Sequence, residues 1–269
     1  KIAMMSGNGV EERIRRTKRW GGEPYRAGGG CERLGVATAY FTDGPRGVVR
    51  GNSTCFPVTM ARGATFDPDL ERRVGEVMGI EARAQGCNLF GGVCVNLLRH
   101  PAWGRAQETY GEDPYLTGQM GMALVRGFQG DDPRYLKITA CAKHFAVHSG
   151  PESTRHTANV APSAYDLNDT YLPAFRNLIV DAHVAWVMCA YNAIYGQPCC
   201  GSDTLMTDIL YHKWKFHGYV TSDCGAIDDF YRGHKTSAAA PSADAVAVIH
   251  GTDLECGSSY RYLVEAVKH

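Results

Sequence analysis

The stretch GYVTSDCGA, residues 218–226, carries an acid to the place where a buried strand has to end. Tyr219, Val220 and Thr221 form a short aromatic and β-branched run, and Ser222, Asp223, Cys224 and Gly225 break it into a loop. Asp223 therefore stands at the C-terminal mouth of a strand. In α/β proteins with parallel strands the loops converge at that end and build the active site there. On this stretch alone two readings stay open: a carboxylate that does chemistry, or one that caps the next helix.

The same beat recurs on either side. ATAYFTDGPRGVVR, residues 37–50, reads as a strand ending at Thr42 and Asp43 before a Gly-Pro turn, and ITACAKHF (138–145) and VAWVMCAYN (184–192) read as buried strands. VCVNL (93–97), a short run from Ala61 to Thr65 and one from about Ile249 to Leu254 bring the count to seven. Between them lie helices. The first has Asp67 as N-cap, Pro68 at its first position, and Leu70, Val74, Val77 and Met78 on one face. Others run over about 115–129 and 166–180, and one is capped by Ser202. Strand, loop and helix in alternation predict parallel strands joined by right-handed crossovers, hence a (β/α)8 TIM-type barrel over residues 1–269; seven strands are one short of closure, so either one strand is not evident in the sequence or the barrel is incomplete at its C-terminal end. Ahead of the barrel, residues 1–20 read as helix, an SGNG break and a second helix. Residues 21–30 read as a flexible loop whose glycines lack phosphate-binding spacing.

Composition removes several functions. With 28 basic and 28 acidic side chains and no basic run interleaved with aromatics, nucleic acid is not an expected partner. No apolar run approaches the roughly 20 residues of a membrane span, and the first residues lack the order of a signal peptide. The ten cysteines contain no CxxC pair, which argues against a zinc ribbon or a redox dithiol. Cys94, Cys141 and Cys189, inside apolar runs, read as reduced core thiols, while Cys199 and Cys200 beside Pro198 leave room for one disulfide half. His144 and His148 are four apart, but a strand running into a loop would not put them on one face. No metal and no cofactor is expected.

The polar residues at the strand ends form a set: Asp43, Arg105, Lys143, His144, Tyr191 and Asp223. Carboxylates and cations at one rim suit a polyol, whose hydroxyls donate to the former and accept from the latter. Hydrolysis of a glycoside with retention needs a nucleophilic carboxylate and a proton donor about 5 Å away. Asp223 suits the first role where Lys and Arg keep it ionised. For the second, Glu108, Glu112 and Asp113 are carboxylates in the long loop 99–115, although Glu-Asp-Pro reads first as a helix N-terminus. Glu152 reads as a partner of Arg155, Trp103 as a surface for a sugar ring, and Trp186 as core.

Taken in order, TDGPRGV, GATFDPDL, NLLRHPAWGRAQETYGEDPYL, AKHFAVHSGPESTRH, VMCAYNAIYGQPCC and GYVTSDCGAI resemble the first domain of a glycoside hydrolase family 3 β-glycosidase over almost the whole chain. The resemblance implies that Asp223 is the nucleophile, that Asp43, Arg105, Lys143, His144 and Arg155 hold the sugar, and that Met188 and Tyr191 line its pocket. It implies a retaining exo-acting enzyme working through a glycosyl-aspartate on terminal β-D-glucosyl residues, with xylosyl second. Cys224 stands where many β-glucosidases have tryptophan, a pattern similar to that of β-xylosidases. His156 matches the histidine of an Asp-His acid/base found in the family's β-N-acetylglucosaminidases. Thr154 stands in the aspartate's place, which leaves the imidazole without its orienting partner. In other branches the acid/base is a glutamate on a second, α/β-sandwich domain, expected to be absent from this chain and to come from that domain or a partner chain. Two alternatives accompany this reading: a sugar-binding barrel without turnover, and a phosphorylase using His156. Relatives of this kind favour the periplasm or secretion over the cytoplasm.

Overall fold

The computed structural model describes residues 1–7 and 25–268. The second N-terminal helix and the start of the glycine-rich loop lie outside the described residues. Six strands form one curled, mixed sheet in the order β1 (Tyr25–Gly28), β2 (Ala39–Thr42), β3 (Leu89–Phe90), β4 (Thr139–Phe145), β6 (Trp186–Cys189) and β9 (Tyr219–Ser222). From β2 to β9 every pairing is parallel, as the crossovers require, while β1 runs antiparallel to β2. β5 (Asn159–Val160), β7 (Ala193–Ile194) and β8 (Gln197–Pro198) make a small second sheet beside it. The expectation of an all-parallel sheet is corrected at these two places.

Alternation along the strands separates two apolar clusters. Trp186 and Met188 of β6 join Tyr25, Phe41, Leu89 and Cys141 in one, whereas Val187 and Cys189 join Ala140, Ala142 and the helices in the other. Helix α1 (Pro68–Ala84) starts as expected, with Asp67 accepting from the Leu70 N–H at 2.9 Å. Its buried face is rotated from the expected one: Leu70 and Val77 are exposed, and Glu71, Val74, Gly75, Met78 and Ala82 point inward. The cause is a buried ion pair, Arg62 Nε to Glu71 Oε2 at 2.7 Å, joined by the Tyr110 hydroxyl to Glu71 Oε1 at 2.7 Å. Helix α2 (Pro114–Gln129) packs so closely on α1 that a Cβ at Gly127 would lie 2.2 Å from the Arg72 carbonyl oxygen.

Other expected elements shift. Ala61–Thr65 is no strand: Thr59–Gly63 is a helical turn whose Arg62 serves the ion pair above. Residues 25–28 of the expected loop are β1. VCVNL keeps a single bridge, Cys94 to Lys143, and β3 lies before it. The last expected strand starts too early, since helix α4 (Ala240–Ile249) runs through Ile249 and only Leu254 bridges Thr221. Glu255 then pairs with Ser6, so the sheet edge continues from β9 toward the N-terminal segment. The cysteines are corrected as well. Cys189 is joined to Cys200 and Cys224 to Cys256, leaving Cys94 and Cys141 as the buried free thiols expected.

Candidate active site

Asp43, Arg105, Arg155, Met188, Tyr191 and Asp223 all border one open cleft of about 470 Å³ at the C-terminal ends of β2, β6 and β9. Glu108 and Cys224 border it too, while Lys143 and His144 lie directly beneath, each almost wholly buried. β9 brings Asp223 to the rim, where its backbone N–H donates to Cys189 O and its Oδ1 accepts from the Cys224 N–H at 2.8 Å. The ladder between β4 and β6 slips between Lys143 and Phe145, where the Lys143–His144 and Phe145–Ala146 peptides are cis. Neighbouring side chains that would alternate on a regular strand both reach the site from this irregular stretch.

The charges interlock. Arg105 grips Glu108 with two parallel bonds, Nε to Oε1 at 2.7 Å and Nη2 to Oε2 at 2.9 Å, and its Nη1 reaches Asp223 Oδ2 at 3.3 Å. Lys143 Nζ donates to both Asp43 oxygens, at 3.1 and 3.0 Å, and stands 3.9 Å from Glu108. Burial works against the charges of Arg105, Glu108 and Lys143, but the attraction of their partners prevails. Although desolvation raises Glu108, Arg105 and Lys143 hold it at about 2. Burial lowers Lys143 and Arg105, and their carboxylate partners lift both above their ordinary values. Glu108 is thus ionised and clamped, which corrects its candidacy as a proton donor. Asp113 is the N-cap of α2, accepting from the Leu116 N–H at 2.6 Å.

His144 is pushed well below its usual range by burial and then by Arg105 and Lys143, so it is neutral. Asn96 Oδ1 accepts the His144 backbone N–H at 2.7 Å and Asn96 Nδ2 donates to His144 O at 2.9 Å, which fixes the amide's orientation. The same Oδ1 faces the ring Nδ1 at 3.1 Å, so Nδ1 carries the hydrogen and Nε2 keeps its lone pair. That lone pair faces Asp223 Oδ2 at 3.4 Å. Asp223 and Asp43, the acceptors that border the cleft, are suited to a ligand rich in hydroxyl donors.

Three expectations about neighbours change. Trp103 is buried edge-on against His148, at 6.0 Å between ring centres, and does not border the cleft. His144 and His148 do come together, 5.3 Å between ring centres, because Val147 takes a left-handed turn at φ 60° and folds the chain back. Among the described residues no group of three or more His, Cys, Asp or Glu is arranged for a metal ion. Finally, His156 does have an orienting carboxylate: its Nδ1 meets Asp229 Oδ2 at 2.8 Å. No local spacing links these two, or Asn96 to His144, or Cys256 to Cys224. Arg155 pairs with Glu152 as expected, at 2.5 Å.

A family model described as the glycosyl hydrolase family 3 N-terminal domain matches residues 30–269. A xylan 1,4-β-xylosidase of Xylanibacter ruminicola is 48% identical over 237 residues, 81% of this chain and 28% of that protein. A probable exo-1,4-β-xylosidase of Aspergillus terreus is 40% identical over 220 residues, 77% of this chain and 29% of its own. Among solved structures, a GH3 exo-β-xylosidase in complex with a xylobiose aziridine probe superposes with a TM-score of 0.84 at 32% identity, covering 90% of this chain and 34% of that one. A β-glucosidase from Listeria innocua in complex with isofagomine gives 0.79 at 32%, covering 88% and 34%. The chain thus spans roughly a third or less of the proteins it matches.

Proposed function

This chain belongs to glycosyl hydrolase family 3, and from that premise we propose that it is the nucleophile-bearing (β/α) barrel domain of a retaining exo-β-glycosidase. The curled sheet is read as the wall of that barrel, with residues 1–269 as one domain. The observation that carries the reading is Asp223, a carboxylate at the mouth of β9, bordering the cleft and held beside Arg105 and His144. Asp223 would attack the anomeric carbon, forming a C–O bond to the carboxylate as the glycosidic C–O bond breaks. Water then releases the sugar with net retention. Asp43, Lys143, Arg105, His144 and Arg155 would hold its hydroxyls, with Met188 and Tyr191 as walls. Three of the four proteins compared above are xylosidases by name, the fourth is a β-glucosidase, and Cys224 stands beside Asp223, so terminal xylosyl residues become the first choice and glucosyl, expected first from the sequence, the second.

The leaving oxygen needs a proton. Glu108 is held ionised between two cations and Asp43 is bonded to Lys143, so neither is placed to supply it. The donor is assigned to a glutamate beyond these residues, on a further domain or a partner chain. The same observation favours a second reading, in which these residues by themselves bind sugar without turning it over. Intact mass after incubation with 2-deoxy-2-fluoro β-xyloside and β-glucoside bearing good leaving groups tests both. One added sugar on Asp223 is expected; a folded protein that binds xylose yet forms no adduct overturns the catalytic reading.

A further inference from the structure

His156 lies outside the set that touches the cleft, yet it joins the loop whose Arg155 borders the cleft to the helix that follows Asp223. Its Nδ1 meets Asp229 Oδ2 at 2.8 Å, and Asp229, 8% exposed, sits on helix α3 (Ala226–Arg232), which begins three residues after Asp223. The imidazole packs against the Tyr191 ring at 4.6 Å between centres, and the Arg155 guanidinium stands 5.7 Å from the centre of the same ring. The contact continues past the pair. At Gly233 a Cβ would lie 1.9 Å from the His156 carbonyl oxygen, and His234 meets both Asp229 O through its backbone N–H at 2.7 Å and Tyr191 O through Nε2 at 2.8 Å. Loop 149–158 is therefore tied to α3 through His156.

We propose that His156, clamped by Asp229, is a positioning residue that holds Arg155 over the cleft and thereby sets affinity for the sugar. The inference rests on the proposed function, since it gives Arg155 a sugar to hold. The clamp is charge-sensitive. The Asp229 hydrogen bond raises His156 above its ordinary value against some desolvation, with Asp223 adding to the rise and Arg155 opposing it. Asp229 is in turn raised by its own burial, with His156 and His234 lowering it and Asp228 raising it. The pair is a charged, stronger clamp between the folded-state values of Asp229 and His156, and a weaker one above the latter, where the Asp229 carboxylate holds a neutral imidazole. KM should accordingly be lowest between those two values and rise as pH passes upward through that of His156.

Replacing His156 by Ala should raise KM for an aryl xyloside by about tenfold with kcat changed less than twofold, the scale of one charge-assisted hydrogen bond. His156→Asn, whose amide donor can take the place of Nδ1, should restore most of the affinity and flatten the pH dependence. Asp229→Asn should move the rise in KM to lower pH. Calorimetric titration of xylose reads the same effects as Kd, independently of turnover. Wild-type binding that His156→Ala leaves within twofold, or a pH dependence that survives in His156→Asn, overturns the clamp alone. A wild-type protein that binds neither xylose nor glucose overturns the proposed function, and the clamp with it.

Discussion

Glu108 is where the site's charges meet: Arg105 holds it from one side, Lys143 approaches from another, and the same two cations serve Asp223 and Asp43. Removing one member of such a buried network leaves the others uncompensated, which costs about 3–5 kcal/mol. Glu108→Gln should therefore destabilise the fold by about 3 kcal/mol at pH 7, measured by urea unfolding. The pH dependence has a definite sign. Glu108 is held at about 2, below its ordinary value, so its contribution is present above that ordinary value and is lost as pH falls through about 2. The gap between wild type and Glu108→Gln should be full at pH 7 and smaller at pH 3; a gap that does not change would remove the clamped carboxylate from the account. Sequence put Arg105 at the site. It did not give Glu108 its role as counterion, because a carboxylate three residues away reads equally as loop polarity or as an acid.

Helix α4 and the segment after it carry two buried carboxylates. Asp244 Oδ1 accepts from the Ser259 hydroxyl while, among the described residues, its Oδ2 has no partner, and Glu255 accepts from the Tyr260 N–H at 3.4 Å. Burial pushes Asp244 up to about 7 and Glu255 up to about 8. Their folded-state values lie above the unfolded ones, so their effect is most favourable below the ordinary carboxylate range and worsens as pH rises toward 8. Asp244→Asn should raise the melting temperature at pH 8.5 by on the order of 5 °C, with a smaller gain at pH 5. Equal gains at both pH values would mean that Asp244 is ionised throughout. Elements of this kind are half legible. Caps such as Asp67, Asp113 and Ser202 declare where helices begin through contacts three residues away, whereas the end of α4 depends on what the segment after it must pair with.

Across the whole molecule two disulfides tie late segments together. Cys189–Cys200 closes 11 residues and Cys224–Cys256 closes 32. In the chain-entropy account these are worth about 3 and about 4 kcal/mol. Of the remaining six cysteines, Cys55 is exposed and Cys31 half-buried, while burial raises Cys87 and Cys141 and pushes Cys94 and Cys199 up to about 12. A thiol reagent should find Cys55 and Cys31 promptly in the native protein, six thiols on unfolding, and ten only after reduction. Ten without reductant would exclude both bridges. What the sequence determined by itself was local: strand mouths at Thr42–Asp43 and Ser222–Asp223, helix starts, and an ordered set of motifs that named the family. These are legible because hydrophobic period, caps and turn chemistry act over a few residues. Only the tertiary structure decided which cysteines pair, which face of α1 is buried, that Trp103 is turned away from the cleft, and that Asp229 orients His156. Each of those depends on contacts between segments far apart in the chain, where packing and charge outweigh the preferences of either segment alone.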